Sequence, residues 1–166
     1  VLSLNDLVVS YKPVIDRKNV VGISVYSTVS RSDTELDNYL NTLSHFADFC
    51  VENKDCEVVF IPMELKNSGP DDRWLIKKII GKTEYKDRCS LVDGDLNTED
   101  HFKLIQECKY FVGHKTHSVI FALAAGTPLV ALAYHSKTIE FMNQYGLNDY
   151  VISDNELIPD LLISTF

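Results

Sequence analysis

Short apolar runs rich in β-branched residues recur along this chain, each separated from the next by a stretch of helical periodicity. That alternation limits the fold more than any other feature. Residues 19–26 (NVVGISVY), 57–63 (EVVFIPM), 89–93, 110–113 (YFVG), 128–134 (PLVALAY) and 150–152 read as strands. Between the first two, Leu36, Leu40, Leu43, Phe46, Ala47, Phe49 and Cys50 fall at helical spacing within residues 33–53, with Asp33 as the expected N-cap. Residues 71–80 read as a helix opened by Asp71 or Asp72 and followed by Gly81, and residues 98–108 as a helix capped by Thr98. Residues 116–125 form a nearly all-apolar helical stretch stopped by Gly126. Residues 137–144 form another, stopped by Tyr145 and Gly146, and residues 158–163 a last half-buried one.

Strands joined through helices imply crossover connections and a parallel sheet, and runs apolar on both faces imply a sheet covered on both sides. The expected fold is therefore α/β: a doubly wound, Rossmann-like parallel sheet of about six strands, in the order 3-2-1-4-5-6. The 166 residues suffice for one domain with its own core. Residues 1–18 fit the pattern poorly and read as a linker or the remnant of a missing N-terminal domain, which leaves 19–166 as the folded unit. A start at Val1 rather than Met fits a piece of a longer chain.

The formal net charge of -8 removes the basic footprint that a sequence-independent nucleic-acid binder needs, while leaving room for a local anion site. No run approaches the ~18 apolar residues of a membrane span, and no signal-peptide pattern is present. Cys50, Cys56, Cys89 and Cys108 include no CxxC pair, so neither a zinc nor a redox signature is expected; they read as reduced, buried thiols of a cytoplasmic protein.

In such a sheet ligands bind beyond the C-terminal strand ends, where the order reverses between the first and fourth strands. Two loops meet there: one after Tyr26, with Ser27, Thr28, Ser30 and Arg31, and one holding Gly113, His114, Lys115, Thr116 and His117. Gly113 would permit a sharp turn. Lys115 and His117 would then stand at the first turn of a helix, where unpaired N–H groups and the positive dipole end favour phosphate or carboxylate. His117 can exchange a proton near neutral pH. The alternative is a solvated lysine beside a capping histidine. Tyr134, His135 and Lys137 follow the adjacent strand, with His135 read as simply exposed. His114, His117 and His135 lack an acidic ligand at useful spacing, so no metal is expected. Residues 22–27 contain neither GxGxxG nor GxxxxGK[ST], which argues against a standard dinucleotide site or P-loop. His45 and His101 read as structural.

The run from Gly113 to Leu147 (GHKTHSVIFALAAGTPLVALAYHSKTIEFMNQYGL) resembles the C-terminal core of the polysaccharide pyruvyl transferases, colanic-acid-type members included. The corresponding features are Gly113, Lys115-Thr116-His117, Gly126-Thr127-Pro128, Tyr134, Lys137 and Gly146-Leu147; residues 22–25 (GISV), 61–63 (IPM) and Asp71-Asp72 add weaker likeness. Two departures stand out. Lys115 takes the place of an Arg, losing its bidentate fork, and Tyr26-Ser27 stands where the family often carries an Arg.

The resemblance implies the C-terminal half of a two-domain GT-B-like transferase of bacterial exopolysaccharide biosynthesis. Its phosphoenolpyruvate co-substrate would donate a pyruvyl group to a sugar hydroxyl pair as a ketal, with no further cofactor. His117 would be the general acid. Gly113, Lys115, Thr116, Ser27, Tyr134 and Lys137 would form the donor site. A saccharide or lipid-linked oligosaccharide would be the acceptor, in the cytoplasm or at the inner face of its membrane. The missing N-terminal domain would complete the cleft, so the single domain would be weak or inactive. A nucleotide-sugar glycosyltransferase domain and a non-catalytic homologue are the alternatives.

Overall fold

Parallel strands dominate the computed structural model of this chain, which describes residues 18–27, 31–64 and 71–166. The stretch read as a linker lies, but for Lys18, outside the described residues, as do Thr28 and Ser30. Six strands, β1 (Lys18–Ile23), β2 (Glu57–Phe60), β3 (Cys89–Leu91), β4 (Cys108–Gly113), β5 (Leu129–Ala133) and β6 (Val151–Ser153), form one sheet in the order β3-β2-β1-β4-β5-β6. Every pairing is parallel, with Ile23 beside both Phe60 and Val112. The doubly wound α/β architecture expected from the sequence is the one observed.

Among the described residues, five α-helices make the crossovers, α1 (Asp33–Lys54), α2 (Asp72–Lys82), α3 (Thr98–Glu107), α4 (Thr116–Ala125) and α5 (Ser136–Gln144), and α6 (Pro159–Thr165) follows the last strand. Helices α1, α2 and α6 cover one face, and α3, α4 and α5 the other. The strands serve both layers by strict alternation. Val112, Val130 and Leu132 join the core beneath α1, whereas Phe111 packs with Ile105 and Ala122, and Ala131 with Val119 and Met142. Truncating a fully buried ring such as Phe111 would cost about 3–5 kcal/mol.

Helix starts differ by one residue from two expectations. Ser32, not Asp33, caps α1, because its hydroxyl accepts from Glu35 N–H while the Glu35 carboxylate takes Ser32 N–H. Asn97, not Thr98, caps α3 through the same reciprocal bonds with Asp100. Asp71 caps α2 as expected. Gly81, however, lies inside that helix, which runs on to Lys82 and closes where Thr83 donates its hydroxyl to Ile80 O. Gly126 ends α4 in the left-handed region, at φ 62.

The cysteines are all free and buried. Burial pushes the Cys50 thiol up, and that of Cys89 up to about 11.

Candidate active site

A hydrogen-bond chain ties the C-terminal ends of β1 and β4 to the start of α4. His114 N–H donates to Ser24 Oγ at 3.0 Å, Ser24 and Ser118 meet at 2.6 Å, and Ser118 donates to Lys115 O at 2.7 Å. With both ends fixed, the direction follows: Ser24 must donate to Ser118. The backbone of the 113–118 turn is thereby set from inside the core. Gly113 serves this arrangement by its lack of bulk rather than by unusual backbone angles. A Cβ there would lie 2.8 Å from Val119 Cγ2 and 3.3 Å from Ser118 Oγ, and its φ is not positive. The sharp turn expected of Gly113 is thus corrected to a close approach of β4 and α4.

His114 is fully buried. Its Nδ1 lies 2.8 Å from Tyr39 Oη, which also accepts from Tyr26 N–H at 3.1 Å. Tyr39 can spend its own proton on Nδ1, and in that tautomer the imidazole proton sits on Nε2, on the Asp154 side. Asp154 Oδ1 stands 3.2 Å from Nε2, off the line of a good hydrogen bond. Arg31 Nη2 reaches both Asp154 oxygens, at 2.9 and 3.1 Å, and Arg31 Nη1 donates to Tyr26 O at 2.7 Å. Burial holds the His114 pKa below its ordinary value against the pull of Asp154. Asp154 itself titrates low: burial pushes it up, and His114 and Arg31 more than offset that.

Lys115 departs from both simple readings. It is neither a solvated loop lysine nor an unpaired anion receptor. Its side chain is largely buried and its ammonium pairs with Glu64, with Asp72 Oδ1 3.8 Å away and the Tyr26 ring centroid at 5.1 Å. Asp72 is fully buried, accepting from Met63 N–H and Glu64 N–H at 2.9 and 2.8 Å and from Ser27 Oγ at 2.8 Å. Ser27 thus acts on Asp72 rather than on the space above α4.

Five of the expected residues, Lys115, Thr116, His117, Tyr134 and Lys137, line one cleft of about 610 Å³ between α4 and α5, with His135 and Glu140 beside them. Gly113 and Ser27 are not in its lining. A hydrogen bond of 2.9 Å between Thr116 Oγ1 and Thr138 Oγ1 ties the two helix starts together. No side chain caps the first turn of α4, whose N-cap is Lys115. His117 is exposed at the second position of that helix and does not cap it. His135, exposed as expected, caps the other helix, α5: its Nδ1 accepts from Lys137 N–H at 3.3 Å. Tyr134 stacks on Tyr26, ring centroids 3.9 Å apart at 15°, and stays 38% exposed.

The cleft can therefore place an anion near two helix starts and the Lys137 ammonium, each dipole end worth about 0.3–1 kcal/mol, with an imidazole in reach for proton transfer. A second cavity of about 550 Å³, lined by Tyr110, Leu123 and Pro128 among others, lies at the opposite end of the strands, and among the described residues its lining side chains include no ionisable group other than tyrosine phenols. Among the described residues no three His, Cys, Asp or Glu side chains gather as metal ligands, and no described helix is long and apolar enough to cross a membrane.

Sequence reasoning missed Ser24, Ser118, Tyr39, Asp154 and Glu64. One of these carried a signal, since Ser24 is a lone aliphatic hydroxyl within the apolar run 20–26.

Comparison with known proteins finds likenesses in sequence and in structure. The family model described as polysaccharide pyruvyl transferase matches residues 4–136. The amylovoran biosynthesis protein AmsJ of Erwinia amylovora is 28% identical over 94 residues, which are 57% of this chain and 23% of AmsJ. The chain thus spans about a quarter of that relative. Among solved structures, the glycosyltransferase SnogD of Streptomyces nogalater superposes with a TM-score of 0.44 at 14% identity, over 93% of this chain and 38% of SnogD.

Proposed function

Because this chain belongs to the polysaccharide pyruvyl transferase family, we propose that it binds phosphoenolpyruvate in the α4–α5 cleft and serves in the transfer of its three-carbon unit to a saccharide. The observation that carries this reading is the convergence of His117, Lys137 and two tied helix starts on one cleft. The donor is a compact trianion or dianion that must also accept a proton on carbon, and the cleft offers both requirements side by side.

In this reading the donor's phosphate and carboxylate lie against the open first turn of α4 and the Lys137 ammonium. Lys115 joins them when a donor oxygen replaces the Glu64 carboxylate. His117 protonates the methylene carbon, so that C2 becomes electrophilic. One sugar hydroxyl adds to C2 and loses its proton, the C2–O bond to phosphate breaks, and a second hydroxyl closes the ketal. The two hydroxyl protons balance the one gained by carbon and the one leaving with inorganic phosphate. Ser27 acts indirectly, by holding Asp72 beneath Lys115, and Gly113 by letting α4 approach β4.

A neighbouring domain would form the other wall of the cleft, and the chain by itself would turn over slowly. The acceptor would be a saccharide or lipid-linked oligosaccharide, met in the cytoplasm or at the inner face of its membrane. No cofactor enters the scheme beyond the co-substrate.

Calorimetric titration of the chain with phosphoenolpyruvate tests this. The expected result is saturable binding, weakened about tenfold by Lys137→Ala and retained by His117→Ala, which should instead abolish phosphate release in the presence of acceptor. A chain that binds UDP-sugars and not phosphoenolpyruvate would be a glycosyltransferase domain, and the proposal would fall.

A further inference from the structure

We propose that the groove between α4 and α5 is also the seat of the acceptor, with a pyranose ring against Tyr134 and its hydroxyls on Glu140 and Gln144. This rests on the family reading above and adds the location and chemistry of the second substrate.

The groove has a direction. Lys137, Glu140, Phe141 and Gln144 stand at i, i+3, i+4 and i+7 on α5 and form one stripe, facing His117 and Ile120 on α4. From Lys137 to Gln144 the stripe runs about 10 Å at 1.5 Å per residue. Its charge changes along the way. The helix starts and Lys137 favour an anion, whereas one turn further Glu140 presents a carboxylate that would repel it. No described side chain pairs with Glu140, which is exposed. An unpaired carboxylate near an amide, with apolar Ile120 and Phe141 in the same wall, suits a neutral polyol. Hydroxyls donate to Glu140, exchange bonds with Gln144, and leave the C–H face for the apolar side chains.

Tyr134 supplies the platform. One face of the ring is covered by Tyr26, yet the residue remains 38% exposed within the cleft lining. Tyr26 is in turn held by Arg31 on its carbonyl and by Tyr39 on its amide. An aromatic ring already fixed by stacking loses little freedom when a ligand covers its other side, which is where a rigid tyrosine gains over a flexible side chain. The arrangement brings a sugar ring to the cationic end of the groove, beside the proposed donor position, while its hydroxyls point along α5.

The test is amide-resolved NMR of the 15N-labelled chain, titrated separately with methyl glucoside, methyl galactoside, methyl mannoside, cellobiose, phosphoenolpyruvate and UDP. Shifts at the amides of 134–144 with at least one glycoside, weakened about tenfold by Tyr134→Ala and by Glu140→Gln but preserved in Tyr134→Phe, are expected. Phosphoenolpyruvate affinity should be unchanged or raised in Glu140→Gln. If no glycoside shifts these amides while phosphoenolpyruvate still binds, the acceptor assignment is overturned and the donor reading stands. If glycosides shift them and phosphoenolpyruvate does not bind, the acceptor groove stands without the donor. Shifts from UDP in place of the glycosides would make Glu140 a ribose ligand and overturn the proposal.

Discussion

The buried imidazole of His114 and the carboxylate of Asp154, forty residues apart in sequence, meet at 3.2 Å and join the turn before α4 to the segment after β6. The pair has a pH signature. Tyr39, Asp154, Arg31, Lys115, Tyr26 and Tyr134 are the titratable groups around the ring. Burial keeps the His114 pKa below 6.5, so the unfolded chain takes up a proton that the folded chain refuses as the pH falls below that value. The stability His114 contributes is complete above 6.5 and is lost toward its lower folded pKa. Asp154 behaves likewise further down, losing its contribution below 3.8. Urea midpoints at about pH 7.5 and about pH 5.5 should differ measurably in the unaltered chain and less in His114→Gln. Equal pH dependence in both would show that His114 is not the group responsible.

The Ser24–Ser118 contact gives a second expectation. Each hydroxyl is fully buried and has partners on both sides, so Ser24→Ala orphans His114 N–H and Ser118→Ala orphans Lys115 O in part. Either change should lower unfolding stability by about 1–3 kcal/mol. Because they share one chain of bonds, the double variant should cost clearly less than the sum. Chemical denaturation of the four proteins measures this directly, and strict additivity would mean the chain does not act as a unit.

The parallel sheet was legible because its strands read as apolar runs joined through helical stretches, and the strand order followed from the doubly wound pattern that such alternation favours. Boundaries were less so. Ser32 and Asp33 can both cap, as can Asn97 and Thr98, and the choice rests on which residue finds an acidic partner three positions on. The second strand reads apolar through Met63 yet ends at Phe60, where Pro62 turns its carbonyl to the His101 ring at 2.8 Å. The gathering of five candidate residues at the α4–α5 cleft was legible, since they follow directly on β4 and β5. The pairing of Lys115 with Glu64 spans 51 residues and exists only because β2 and β4 flank β1. Nothing local to either residue announces it.

Gly113 offers a test of packing rather than of backbone freedom. An added methyl would press on Val119 and on the Phe111 ring, at 2.8 and 3.1 Å, from a position with no spare volume. Gly113→Ala should destabilise by about 1–3 kcal/mol. If the close approach to α4 is the cause, Val119→Ala in the same chain should recover part of that loss despite being destabilising alone. Thermal melts of the three variants decide it. No recovery would return the requirement for glycine to the backbone.

Lys115 is held by carboxylates in this structure, and that makes its role in donor binding measurable from the opposite side. Glu64 is 42% exposed at its side chain, so losing the ion pair should cost at most about 1 kcal/mol of stability. Removing its charge in Glu64→Gln leaves the Lys115 ammonium beside an uncapped helix start, with Asp72, 3.8 Å away, the carboxylate paired with it among the described residues. If the donor's oxygens take the place of Glu64, the variant should bind phosphoenolpyruvate more tightly, by a factor of about five for 1 kcal/mol of relieved competition. Lys115→Arg should tighten binding as well, since a guanidinium can hold a carboxylate or phosphate through two parallel bonds while one edge still faces Asp72. Calorimetry on both variants reads the effect. Unchanged affinity in Glu64→Gln, together with unchanged affinity in Lys115→Met, would make Lys115 a structural bridge between the β2 and β4 loops and leave donor binding to Lys137 and the helix starts.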